Sequence, residues 1–282
     1  MSKDSVANLI RKAIPRSIRN SVRSPSKSIG WLWDSGRFAL GGKNELRLDN
    51  DMQIICHPRA YKVARAAQFS DPEQIEEFQG FLRLCSKGMH LFDLGAHFGL
   101  FSLVVARYYG AAVAVDPSPI ACKMIETQAR LNDCAGRIRI LQTAVSDAGQ
   151  KVTMVASGVF SDGYFKVAHD RPPSELETVT STTIDAMAAQ FGAPTHIKID
   201  VEGHEAAVLR GARSTLSRAS PILFVELHNN FVRAEGGNPN EALDELQRAG
   251  YRLFGSDGSP IERDAALAHP ICRVLARRVV SV

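Results

Sequence analysis

The sequence holds no apolar run near the ~18 residues that a membrane span requires. Its five cysteines (Cys56, Cys85, Cys122, Cys134 and Cys272) share no paired spacing and are odd in number. That pattern speaks against a cysteine zinc cluster or a disulfide framework and leaves a reduced, cytoplasmic protein as the expectation. Internal repeats and low-complexity tracts are also missing, so neither a solenoid nor a disordered chain is indicated. Acids are scarce at one end only. Residues 1–43 carry nine Lys and Arg against two acids, and the remainder is net −3 within a total of +4. The basicity belongs to that segment and does not mark the rest as a nucleic-acid binder.

What is present suits one large α/β domain, residues 44–282, behind an N-terminal arm of residues 1–43. In the arm, Val6, Leu9, Ile10, Ala13, Ile14, Ile18 and Val22 recur at helical spacing opposite Lys and Arg, with Pro15 dividing the run and Trp31 and Trp33 following. Two uses compete: contact with a membrane surface or anionic partner, and docking on its own domain or a second subunit. The apolar stretch is too short and too charged for a secretory signal, whereas its Arg and Ser content also matches a transit peptide.

From about Asn44 onward, strands alternate with helices. "DPEQIEEFQGFLRLC" reads as a helix with Asp71 as N-cap and Pro72 at its first position. "MHLFDLG", "AAVAVDP", "RIRILQTAVSD", "HIKID" and "PILFVEL" read as buried strands with helices between them. Short strands in "KVTMVA", "GYFKVAH" and "ETVTSTTI" suggest a β insertion between strands three and four. Its Phe160, Tyr164, Phe165 and His169 either cover an acceptor or form a small core of their own. The alternation argues for a mostly parallel sheet covered on both faces, and a closing hairpin would add an antiparallel edge.

In such a sheet ligands bind beyond the strand ends, and "FDLGAHFGLFS" lies at the end of the first strand. A dinucleotide fingerprint counted from Gly95 would need glycine where His97 and Leu100 stand. Without those glycines the backbone cannot approach a pyrophosphate. S-adenosylmethionine has none, and the turn it needs is available from Gly95 and Gly99. Asp93 would lie near its amino end, and Asp116, at the tip of the second strand, can accept hydrogen bonds from ribose hydroxyls. NAD sites use an acid there too, so only the broken glycine triplet discriminates.

Together, "FDLGAHFGLFS", "VAVDPSP", "LQTAVSDAGQ", "STTIDAM", "HIKIDVEGHEAAVLRGA" and "ILFVELH" resemble the FkbM-type S-adenosylmethionine-dependent methyltransferases, over roughly Phe92 to His228. The most specific part is "IKIDVEGHE" followed by a strand ending in E-x-H. The resemblance implies a class I methyltransferase fold: a Rossmann-like, doubly wound, mostly parallel seven-stranded sheet with an antiparallel last strand. It also implies O-methylation of a hydroxyl on a sugar, glycoconjugate or related natural-product scaffold. Asp93, Gly95, His97, Gly99, Asp116, Thr143, Ala144 and Asp200 are the cofactor contacts it suggests. His97 stands where the family usually has asparagine, and Asp116 where glutamate is commoner.

Methyl transfer to an alcohol also needs an acceptor for the hydroxyl proton. Strand alternation puts Lys198 and Asp200 on one face, and Glu226 and His228 share a face of the fifth strand. If the two strands are neighbours, Asp200, Glu226 and His228 converge and can hold Mg2+ or Ca2+. Without metal, His228 is the suitable base at neutral pH. Lys198 either pairs with Asp200 or acts as a base, and Glu202 is a neighbour of the site. Glu205 suits the positive end of a helix dipole, and His204 is expected to face solvent. "HEAAV" is not H-E-x-x-H, so a zinc protease is not supported. The rival readings are an NAD(P)-dependent oxidoreductase and a non-catalytic cofactor-binding module. The expected partner is a small-molecule or glycan acceptor and not a nucleic acid.

Overall fold

The computed structural model describes residues 25–49, 51–69, 71–156, 165–167 and 176–278. The helix expected between Val6 and Val22 lies outside them, as do Phe160, Tyr164 and His169. The chain begins with α1 (Pro25–Ala39), the hairpin β1 (Asn44–Asp49) and β2 (Met52–Cys56), α2 (Pro58–Phe69) and α3 (Pro72–Leu84). Next come β3 (Met89–Leu94), α4 (Leu100–Tyr108), β4 (Gly110–Val115), α5 (Pro119–Leu131), β5 (Ile138–Leu141) and β6 (Ala144–Val145). The insertion supplies β7 (Lys151–Ala156), β8 (Phe165–Val167) and β9 (Leu176–Thr182), followed by α6 (Ile184–Phe191), β10 (His196–Ile199), α7 (Glu205–Arg210) and α8 (Arg213–Arg218). Last are β11 (Ile222–Leu227), α9 (Asn229–Ala234), α10 (Asn240–Arg248), β12 (Tyr251–Phe254), α11 (Arg263–Ala268) and β13 (Cys272–Arg278).

Helix starts follow local chemistry. The Asp71 carboxylate accepts from the amides of Glu73 and Gln74, so α3 opens capped and with Pro72 in its first turn. Ser118 caps α5 in the same way through the amide of Ala121.

Seven strands form one sheet in the order β12-β13-β11-β10-β3-β4-β5. The sheet is parallel except for β13, which runs antiparallel to both β11 and β12. This is the doubly wound class I methyltransferase architecture. The antiparallel strand is not at the edge, however. It is inserted between β11 and β12, because Val274, Leu275 and Ala276 are buried on both faces, as an interior strand requires.

Alternation along the strands loads both faces. Phe92, Leu94, Ile197, Ile199 and Val225 pack against Val208, Leu216 and Leu243 of the helices on one side. Leu91, Phe224 and Leu275 pack on the other against Phe78 and Phe81 of α3, Val104 and Val105 of α4, and Leu46 and Ile54 of the hairpin. Each such side chain contributes about 1.5–3 kcal/mol when fully buried. The sheet centre therefore carries the stability, which leaves its carboxyl end able to bear charge.

One expected strand is two. "RIRILQTAVSD" breaks after Leu141: β5 ends in the main sheet, while β6 joins a second sheet ordered β6-β9-β7-β8. The Thr143 hydroxyl donates to the Thr180 carbonyl at 2.7 Å and ties the chain to the insertion at that point. The β1–β2 hairpin and α2 were not foreseen from sequence. α1 contacts α2 through Asp34, which is fully buried and 2.7 Å from Lys62 Nζ, and Phe38 packs on the His57 ring. No helix among the described residues is long and apolar enough to cross a membrane.

Candidate active site

The carboxyl ends of β3, β4, β10 and β11 meet at one rim of the sheet. Gly95 leaves β3 with φ +75°, and a Cβ on it would fall 1.8 Å from the Asp200 carbonyl oxygen. Only glycine lets the β3 and β10 exits approach so closely. His97 also has a positive φ, of 50°. That conformation costs a non-glycine residue about 1 kcal/mol or more. It is held by the His97 amide, which donates to Asp116 Oδ2 at 2.9 Å, and by stacking of the imidazole on Phe98.

The amides of this loop are already engaged. Those of Gly95 and Ala96 donate to the Val115 carbonyl, that of His97 to Asp116, and that of Gly99 to the Ala96 carbonyl. Behind the loop, Asp93 Oδ2 accepts from the Ser102 amide at 3.1 Å and its hydroxyl at 2.7 Å, closing the first turn of α4. A dinucleotide fold offers those donors to a pyrophosphate. Here a buried carboxylate occupies the place, which opposes a phosphate anion.

Asp116 sits at the β4 tip and accepts from the amides of His97 and Ser118. Burial pushes its carboxyl up to about 7 against the opposing effect of those two hydrogen bonds.

A band of charge crosses the rim. Lys198 Nζ is 2.9 Å from Asp200 Oδ2, 3.8 Å from Glu77 Oε1 and over the Phe101 ring. Arg273, directly opposite Glu226 in the β11–β13 register, donates to Glu226 Oε1 at 2.6 Å and lies 3.5 Å from Glu77 Oε2. Burial disfavours the Lys198 ammonium, but Asp200, Glu77 and Glu226 outweigh it and hold the amine protonated. For Asp200, burial opposes ionisation while Lys198 and His228 favour it more, so the carboxyl lies below the usual range. Glu226 is pushed up to about 7 by burial and by Asp200.

His228, only 3% exposed, follows β11. Its Nδ1 lies 2.8 Å from Glu205 Oε1, and that oxygen also accepts from the Gly203 amide at 2.9 Å. Burial alone would lower the imidazole, yet Glu205, Asp200 and Glu226 raise it to about 9.

Two cavities share this rim. One of about 160 Å³ is lined by Asp116, Thr143, Ala144, Met154, Glu202 and His228. The other, of about 370 Å³, runs beneath α2 and α3 past Asp93, Phe98, Phe101 and Lys198. Gly95, His97, Asp200, Glu226 and Gln74 border both.

Residues 93–253, more than half of the chain, match the methyltransferase FkbM domain family model. The chain belongs to the FkbM methyltransferase family. Among solved structures it is similar to a methyltransferase FkbM from Methylobacillus flagellatus KT, at 15% identity and a TM-score of 0.45. That match covers 78% of this chain and 58% of the other, so this FkbM chain spans little more than half of that relative's length. A TehB-like SAM-dependent methyltransferase from Corynebacterium glutamicum is 11% identical with a TM-score of 0.44, over 78% of this chain and 94% of that one. An rRNA methylase from Streptococcus thermophilus is 9% identical with a TM-score of 0.44, over 75% and 99% of the two chains. No curated protein matches.

Within this FkbM chain, the site residues expected from sequence line the two cavities, except Gly99, which faces Ile125 behind the loop, but several roles change. Lys198 is a locked cation and not a base. His228 is charged at neutral pH in this arrangement and cannot serve there as the ready base. His204 is only half-buried, but it does not project freely: its Nε2 is 2.9 Å from Ser146 Oγ, and it borders the first cavity. Glu205 does more than favour a helix dipole, since it is buried against His228.

Sequence reasoning missed Glu77 and Arg273 altogether. An arginine inside the apolar "CRVLARR" was the available signal, but its partner depends on which strand lies beside it.

Proposed function

We propose that this protein transfers the methyl group of S-adenosylmethionine to a hydroxyl of a sugar, glycoconjugate or related natural-product scaffold. The observation that carries the reading is the contrast between Asp116 and Asp93. Asp116 presents a carboxylate to an open cavity at the β4 tip, where ribose hydroxyls can donate to it. Asp93 closes the helix terminus that a pyrophosphate would need. A nucleoside cofactor without phosphates fits both facts, and membership of a methyltransferase family points the same way.

On this reading the adenosyl group lies in the cavity beside Asp116, Thr143 and Ala144, and the methionyl group in the one beside Asp93 and Lys198. The sulfonium then sits at the shared waist, near Gly95 and Asp200. The acceptor approaches from the side of Glu202, His228 and Met154, the last contributed by the insertion. Alignment of hydroxyl and methyl supplies most of the rate, about 7–11 kcal/mol of barrier. Asp200 receives the hydroxyl proton, being ionised at neutral pH and, with 29% side-chain exposure, the most accessible of the four polar groups there.

Calorimetric titration with S-adenosylhomocysteine and with NADH tests the cofactor. Saturable binding of the first alone supports the reading, and preference for NADH overturns it. Release of S-adenosylhomocysteine across a panel of sugar and glycolipid acceptors then identifies the substrate class.

A further inference from the structure

We infer that Asp200, Glu226 and His228, with Glu202 beside them, form a binding site for one divalent transition-metal cation of the Mn2+ type, on the acceptor side of the cavity. His228 Nε2 stands 3.8 Å from Asp200 Oδ1, 3.8 Å from Glu202 Oε2 and 3.8 Å from Glu226 Oε1. Such distances are too long for hydrogen bonds. They are the separations expected of ligand atoms that each lie ~2.0–2.4 Å from a common ion. The ligand atoms of Asp200, Glu226 and His228 all fall within 4.8 Å of one another.

The imidazole distinguishes this group from an ordinary acidic patch. It is buried, and its Nε2 lies 3.8 Å from a carboxylate oxygen of each of Asp200, Glu202 and Glu226. Its other nitrogen is held by Glu205, and Glu205 by the Gly203 amide. A carboxylate on the far nitrogen fixes the tautomer and aims the near one at a metal. Charge points the same way. Five carboxyl groups, those of Glu77, Asp200, Glu202, Glu205 and Glu226, crowd a volume in which Lys198, Arg273 and, without a metal, a protonated His228 are the cations among the described residues. Buried charge of one sign calls for a counter-ion.

One imidazole beside two carboxylates favours a cation that accepts both nitrogen and oxygen, and hence Mn2+ over the Mg2+ or Ca2+ that oxygen ligands alone suggest. The consequence for catalysis rests on the methyl-transfer reading. A cation here would hold the acceptor hydroxyl and make it more acidic, so that Asp200 takes its proton more readily. Binding itself does not depend on that reading.

The test is a titration of chelator-treated protein with Mn2+, followed by the electron paramagnetic resonance signal of free ion, with pulsed measurement of nitrogen coupling on the bound ion. One saturable site per chain with coupling to a single imidazole nitrogen is expected. His228→Ala should abolish the coupling, and Glu226→Gln and Glu205→Gln should each weaken binding at least tenfold. Absence of saturable binding, or a bound ion without nitrogen coupling in the unmodified protein, overturns the site. The wild-type coupling decides the matter even if His228→Ala does not fold. Failure to bind S-adenosylhomocysteine alongside intact Mn2+ binding would instead remove the methyl-transfer reading and leave the site standing.

Discussion

Glu205 and His228 form a buried ion pair, 2.8 Å from carboxylate oxygen to Nδ1, that joins the first turn of α7 to the residue after β11. The helix start and the strand end are thereby held in one geometry.

In metal-free protein this pair makes stability depend on pH. The imidazole is raised from 6.5 to about 9 on folding, so the stability it contributes is complete below 6.5 and is lost as pH rises through 9. The shift corresponds to about 3 kcal/mol at most. Glu205→Gln should therefore destabilise the chain strongly at pH 6 and much less at pH 9.5. Urea unfolding at both values checks this, and an equal loss at both would refute it.

Cofactor affinity should vary with pH through Asp116. Burial raises this carboxyl to about 7, so the ionised form that accepts from ribose hydroxyls is reached only as pH rises through that value. S-adenosylhomocysteine should bind several-fold more tightly at pH 8 than at pH 6. Asp116→Asn should bind about tenfold more weakly, a loss of ~1.4 kcal/mol consistent with one charge-assisted hydrogen bond, and without the pH dependence. Calorimetry reads both, and a variant that kept the wild-type pH profile would exclude Asp116 as its source.

Gly95→Ala tests the waist between the two cavities. The added methyl meets the Asp200 carbonyl at 1.8 Å in a conformation already unfavourable for alanine. The β3 and β10 exits must separate, at a cost of about 2–4 kcal/mol. A lower melting temperature and loss of the shift on adding S-adenosylhomocysteine are expected. Wild-type affinity in this variant would mean that the cofactor does not cross the rim at Gly95.

Asp200→Asn should separate binding from turnover. The amide keeps the size of the side chain and can still accept from Lys198, so S-adenosylhomocysteine affinity should remain within a few-fold. Methyl transfer should fall by ~10²–10⁴, the range for removing a general base. Single-turnover kinetics with a reactive acceptor decides the point, and unchanged turnover would take the proton-acceptor role away from Asp200.

Much of this was legible in the residues. Strand alternation in "HIKID" and "ILFVELH" puts Lys198 with Asp200 and Glu226 with His228, because successive side chains leave a strand on opposite faces whatever lies beside it. The capping of α3 by Asp71 and the turn at Gly95 are equally local. Glu205 was misread because its position in the first turn explains an acid well enough. Only the placement of β11 beside β10 reveals that His228 lies within reach of it.

The sequence by itself determined the α/β class, the order of the central strands, the glycine turn after β3 and the residue types at the strand tips, since periodicity, caps and glycine turns act over a few residues. Tertiary structure alone decided the charge state of those residues. Arg273 reaches Glu226 because β13 inserts antiparallel beside β11, Glu77 reaches Lys198 because α3 packs over the sheet, and His228 is charged because Glu205 closes on it. Protonation depends on burial and on partners brought from distant parts of the chain, and neither can be read from local spacing.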